Sequence, residues 1–181
     1  MYGVVNQAIQ GLVEENFGTK KWLEIRERAN VSYEYFLNNE AYDDDITYDL
    51  VGAAAEILGL PAEEVLIAFG KHWILKVGYA RYGDLMKAGG SNLEDFFLNL
   101  PNFHGRIMLI YPNLSPPEFK VEKLGDGHII LHYYSSRDGL THFVEGLCLG
   151  LAEMFNEEIK VELLSSTNDN IWHDQFELTI S

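Results

Sequence analysis

The sequence predicts an α+β fold, in which a helical N-terminal part packs against a C-terminal part built on a four-stranded antiparallel sheet. Three observations carry this. Apolar residues recur at helical spacing as far as residue 110. Three of the five prolines then fall within the seven residues YPNLSPP at 111–117, where helix must stop. Beyond that segment, short β-type runs replace the helical pattern in the order β-β-α-β-β.

Val4, Val5, Ala8, Ile9 and Leu12 form the first helical face, and Trp22, Leu23 and Ile25 the second. Asp43, Asp44 and Asp45 precede the apolar series Ile46, Leu50, Val51 and Ala54. Carboxylates there cap a first turn and complement its dipole. The trio lacks the turn glycine and distal glutamate of a calcium loop. Pro61 followed by AEEVLIAFGKHWILKV reads as proline opening one long helix, with Val65, Phe69, Trp73 and Val77 four apart on one face. Gly89, Gly90 and Ser91 interrupt the pattern before NLEDFFLNL, and PNFHGRIMLIY carries another apolar helical face into the proline segment. FKVEKL, HIILHYYSS, IKVELLSS and WHDQFELTI read as strands, with GDG as a hairpin signal between the first two. Between the second and third, Leu140, Phe143, Val144, Leu147, Leu151 and Met154 return to helical spacing.

A length of 181 residues suits one domain, and 47% apolar with 13% aromatic residues suffices for a core. Thirteen Lys plus Arg against 28 Asp plus Glu give a net charge of −15, which repels nucleic acid and anionic membrane surfaces. Cys148 is the only cysteine, which excludes an intrachain disulfide and a cysteine-based metal cluster and suits a reducing cytoplasm. No stretch approaches the roughly 18 uncharged apolar residues of a membrane span, so no membrane insertion is expected. The opening MYGVVNQAIQGLVEENF lacks a basic leader and cleavage site and reads as mature protein.

The six histidines, His72, His104, His128, His132, His142 and His173, show no HExxH or HxH pattern, so a multi-histidine metal centre is not expected. One histidine can nevertheless hold a haem iron, because the porphyrin leaves the protein only an axial bond. His104 is the best placed, among Phe103, Ile107, Met108, Leu109 and Ile110. An imidazole there needs a polar partner or a ligand, and a satisfied core histidine is the alternative reading. Strand alternation puts Tyr133, Ser135 and Arg137 on one face. Together they are donors suited to one or two carboxylates, or else an incidental solvent-facing edge. His173 and Asp174 are adjacent on a strand and point to opposite faces, which argues against a catalytic dyad. The chain is not expected to be an enzyme.

The opening MYGVVNQAI, the histidine in LPNFHGRI, the SPP turn and the Y-x-S-x-R motif at Tyr133, Ser135 and Arg137 form one constellation. The motif follows the histidine by about thirty residues and precedes GL and a helix containing EGLCLG. This combination resembles the haem nitric oxide/oxygen-binding (H-NOX) family, the bacterial relatives of the haem domain of soluble guanylate cyclase, over nearly the whole chain. The resemblance implies one haem domain over residues 1–181. Haem b would sit between a distal helical subdomain at about 1–60 and a proximal α/β subdomain at about 61–181. It implies His104 as proximal iron ligand and Tyr133, Ser135 and Arg137 as holders of the haem propionates. Pro117, which follows Pro116, would press on and distort the porphyrin.

Phe143 stands where oxygen-binding members carry a tyrosine, and a phenylalanine cannot donate a hydrogen bond, so nitric oxide and carbon monoxide are the expected ligands. Trp73 and His142 are two donors that would instead favour oxygen. Val5, Leu140, Val144 and Leu147 would complete an apolar distal wall. The implied function is a haem-based sensor that binds nitric oxide and carbon monoxide at ferrous haem and signals to a separate effector protein. That effector would be a histidine kinase, a cyclic-nucleotide enzyme or a cyclic-di-nucleotide enzyme. In the family nitric oxide weakens the iron–histidine bond, so release of His104 would free its helix and relax the distortion held by Pro117. Two alternatives are an oxygen sensor or carrier on the same fold, and a cofactor-free protein interaction module with an acidic surface.

Overall fold

The computed structural model describes residues 1–110 and 116–181. Along the chain come α1 (Gly3–Phe17), α2 (Thr19–Arg28), α3 (Asp44–Leu58), α4 (Ala62–His72), a π-helical turn (Trp73–Gly78), α5 (Tyr79–Lys87) and α6 (Leu93–Ile110). Then follow β1 (Glu118–Gly125), β2 (His128–Ser135), α7 (Thr141–Phe155), β3 (Ile159–Asn168) and β4 (Trp172–Ile180). This is the α+β order read from the sequence. The expected helix stop falls partly at residues 111–115, which lie outside the described residues together with the serine of the SPP turn.

The sheet is antiparallel throughout, in the order β1-β2-β4-β3. Asp126 and Gly127 make the first hairpin, and Gly127 takes φ +69°, where glycine escapes the Cβ clash. Alternation sends Ile129, Leu131, Tyr133 and Ser135 of β2 inward with Phe176 and Leu178 of β4, all buried. Helices α6 and α7 cover that face through Phe96, Phe97, Val144, Cys148 and Leu151. Away from it, Tyr134 and His173 stack with ring centroids 4.2 Å apart. Asp174 is fully buried, accepting hydrogen bonds from Trp172 Nε1 at 2.8 Å and Ser166 Oγ at 2.6 Å, so it serves the packing of the sheet.

A second core joins α1 to α4 through Ala8, Ile9, Trp22, Ile25, Leu50, Ala54 and Phe69. The asparagine of the opening motif works inside it: Thr47 Oγ1 donates to Asn6 Oδ1 at 2.7 Å, tying α1 to α3 with both residues buried. Trp73 packs against both cores. Helices α4 and α7 cross with their backbones in contact, because glycines remove the spacing side chains. A Cβ on Gly70 would lie 2.2 Å from the carbonyl oxygen of Phe143, and one on Gly146 would lie 2.2 Å from that of Ile67.

Several local readings are corrected. The single long helix expected after Pro61 contains the π-helical turn, where the Tyr79 amide donates to the Ile74 carbonyl five residues back. Asp43 occupies the N-cap of α3 without a side-chain capping bond, and only Asp44 and Asp45 remain in the first turn to complement the dipole. Pro101 lies inside α6, so the segments LEDFFLNL and PNFHGRIMLI, read as separate apolar faces, belong to one helix. Met108 and Leu109 belong to the exposed side of α6 rather than to an apolar face around His104.

Candidate functional site

A cavity of about 620 Å³ lies where the two cores meet, a size within the range of cofactor pockets. One wall comes from α4, the π-helical turn and α7: Phe69, Trp73, Leu140, Phe143, Val144 and Leu147, with Val5 of α1 beside them. Phe69 and Phe143 pack as a tilted pair with centroids 4.7 Å apart. The opposing residues come from α6 and its continuation: Leu100, Phe103, His104, Ile107, Pro116 and Pro117. Tyr133, Ser135 and Arg137 line the same space from the end of β2. The residues singled out in sequence are therefore brought to one cavity, with His142 the exception. His142 is not among the cavity-lining residues, and its Nδ1 faces Glu145 Oε2 at 3.1 Å.

His104 owes its orientation to helix geometry. Its Nδ1 lies 3.3 Å from the carbonyl oxygen of Leu100, four residues back on α6, and a carbonyl can only accept, so Nδ1 carries the proton. Nε2 then keeps its lone pair. Burial lowers the pKa of His104 and outweighs the opposing Leu100 hydrogen bond, keeping the ring neutral. A neutral imidazole with a fixed tautomer and a bare nitrogen is what an axial ligand requires. The Phe119 ring packs beside it in a tilted arrangement, with centroids 4.9 Å apart.

At the polar end, the Tyr133 hydroxyl is hydrogen-bonded to Ser135, and the Arg137 backbone amide donates to Ser135 Oγ at 3.0 Å. Burial raises the pKa of Tyr133, so it remains a neutral phenol able to donate. Arg137 Nε donates to Asp44 Oδ2 at 2.7 Å, and the ammonium group of Met1 donates to Asp44 Oδ1. Burial pushes the Asp44 pKa up, but the hydrogen bonds and charges of Met1 and Arg137 together hold it below the ordinary carboxylate value. Tyr48 Oη donates to the Asp138 carbonyl at 2.9 Å, and burial, with Asp138 and Asp44 nearby, pushes its pKa up to about 12. Asp44 was missed as a site residue in sequence, where local position made it a helix-capping acid. Its partner Arg137 is 93 positions away.

The donor set fits haem on these observations alone: an apolar slot, a lining imidazole whose Nδ1 is held by Leu100, and neutral and cationic donors for carboxylates at one end. Among the described residues no group of three or more His, Cys, Asp or Glu could hold a metal ion. No helix among the described residues is long and apolar enough to cross a membrane.

Comparison with known proteins agrees with this. The chain is 28% identical over 165 residues to soluble guanylate cyclase gcy-33 of Caenorhabditis elegans, covering 91% of the chain and 18% of that protein. It is 29% identical over 175 residues to gcy-32 of the same organism, covering 94% of the chain and 26% of that protein. It thus spans about a quarter or less of the length of these relatives. In structure it matches an H-NOX protein from S. oneidensis in the Fe(II)NO state with TM-score 0.88 at 20% identity, over 100% of this chain and 99% of that one. An oxygen-binding H-NOX domain, solved as its oxygen complex, matches with TM-score 0.81 at 19% identity, over 100% and 95%. The family described as Haem-NO-binding matches residues 2–163, and the chain belongs to this haem-binding H-NOX family.

Proposed function

We propose that this chain is the sensing unit of a nitric oxide signal, with His104 holding the haem iron and a separate effector protein receiving the change of shape. The observation that carries the reading is the His104 ring, held by Leu100 with one nitrogen bare, on the wall of a cavity that ends in Tyr133, Ser135 and Arg137. When bound, haem supplies the ferrous iron that takes the gas. The chain's residues do the rest. Arg137, Ser135 and Tyr133 grip the propionates and orient the ring, and Pro117 bears on its face. Phe69, Phe143, Val144, Leu140 and Leu147 exclude water and offer no hydrogen bond, which favours nitric oxide and carbon monoxide over oxygen. About residues 1–60 act as the distal subdomain and about 61–181 as the proximal one, and a change at His104 is felt through α6 as a choice between two packings. The chain itself performs no catalysis in this reading.

Oxygen is the second reading, and Trp73 favours it: the residue lines the cavity, and its indole makes no hydrogen bond to any described residue. An absorption spectrum of the reduced protein, taken anaerobically, in air and with nitric oxide, tests both. A shift with nitric oxide and no persistent ferrous-oxy spectrum in air is expected. A persistent ferrous-oxy spectrum in air, distinct from that of the ferric protein, overturns the nitric oxide reading, and a colourless His104→Ala protein that regains its spectrum with imidazole identifies the ligand.

A further inference from the structure

Gly78 has no backbone reason to be glycine. Its φ of −62° and ψ of −50° are helical, a conformation in which alanine is the better residue. What it lacks is room. A Cβ built there would stand 2.9 Å from Cζ3 and 3.2 Å from Cε3 of Trp73, against an ordinary carbon contact of about 3.5–4.0 Å. Surface neighbours on an α-helix are three and four residues apart, and here the wider π-helical turn brings the fifth residue under the first.

Cε3 and Cζ3 form the edge of the indole opposite Nε1. The benzo edge is therefore seated on Gly78, and the N–H edge is turned away from it. We infer that Gly78 is a specificity-determining position of the gas site, acting through Trp73: the bare Cα at 78 sets how far the indole stands into the cavity wall. The inference rests on the sensor reading above for its consequence, not for its geometry. Gly78 touches neither cofactor nor gas in this account and is a positioning residue. A methyl at 78 forces the ring to retreat by roughly 0.6–1 Å, in a wall where Trp73 contacts both cores.

The test uses Gly78→Ala in the haem-loaded protein, alone and combined with Trp73→Ala. The chain has three tryptophans, so its indole N–H resonances are few, and Trp73→Phe identifies the one to follow. Gly78→Ala should move the Trp73 resonance and leave those of Trp22 and Trp172 in place. Carbon monoxide recombination after photolysis should change at least about twofold with Trp73 present and stay unchanged when residue 73 is alanine, the coupling expected of residues in contact. In the Trp73→Ala background the indole contacts are gone and only the residue-73 carbonyl oxygen, 3.3 Å from the added Cβ, still crowds it, so Gly78→Ala should lower the melting temperature less than it does with Trp73 present. Equal rate changes in both backgrounds, or an unmoved Trp73 resonance, would overturn the inference. If the resonance moves and the rates couple while nitric oxide leaves the spectrum unaltered, the sensor reading fails and the role of Gly78 stands.

Discussion

Replacing Gly146 by alanine probes the contact that builds the distal wall. The added methyl would sit 2.2 Å from the Ile67 carbonyl oxygen, whereas a carbon meets a carbonyl oxygen at about 3.3–3.6 Å. Ile67 lies in mid-helix, so its oxygen cannot move alone, and α4 and α7 must separate by about 1 Å. Overpacking of this kind costs about 1–3 kcal/mol, and a backbone obstacle puts it at the upper end. Helix propensity returns about 1 kcal/mol, leaving a net loss of about 2 kcal/mol. For a domain of this length that lowers the melting temperature by about 4–8 °C. The control is Gly52→Ala on the exposed side of α3, where a Cβ meets nothing within 4 Å. It should melt about 2–4 °C higher, for a gain of about 1 kcal/mol. Thermal melts followed by circular dichroism read both. A Gly146→Ala protein melting at or above the parent, with Gly52→Ala stabilised, would refute the close crossing.

Arg137→Ala should release haem to an excess of an acceptor protein about ten- to a hundredfold faster than the parent, a charge-assisted hydrogen bond being worth about 1.5–3 kcal/mol. Ser135→Ala should have the smaller effect, and equal rates for the two would refute the clamp. Asp44 has a folded pKa below its unfolded value, so its stabilisation is fully present above about pH 4 and is lost as pH falls through the folded value. Asp44→Asn should therefore lower the urea midpoint at neutral pH and converge with the parent in acid; parallel curves would count against the pairing with Arg137 and Met1. Phe143→Tyr should give the reduced protein a persistent ferrous-oxy spectrum in air that the parent lacks, and its absence would show that residue 143 does not face the gas.

What could be read from sequence was the part of the chemistry that is local along the chain. Strand alternation gathers Tyr133 and Ser135, and the apolar setting of His104 marks it as needing a partner. That partner is the Leu100 carbonyl, one helical turn away. The π-helical turn escaped notice for a physical reason: Val65, Phe69, Trp73 and Val77 fit an unbroken helix, and one extra residue per turn leaves no mark in such a short apolar series. Asp44 shows the same limit from the other side. By local rules it is an acid at a helix start, which it also is, but its carboxylate is taken by Arg137 from the far end of β2 and by the chain's first residue.

The glycines press the point further. Gly146 and Gly150 are visible at a spacing of four, yet their meaning depends on Gly70, Ile67 and Lys71 across the crossing. Phe69 belongs to one core and Val144 to the other, and both stand in the wall of one cavity. A change in the spacing of α4 and α7 therefore alters the cavity and the packing of both cores together. In the proposed reading, coupling of that kind is how a change at the haem would become a change in packing. The residues that set this spacing are Gly70 and Gly146, whose roles exist only after folding.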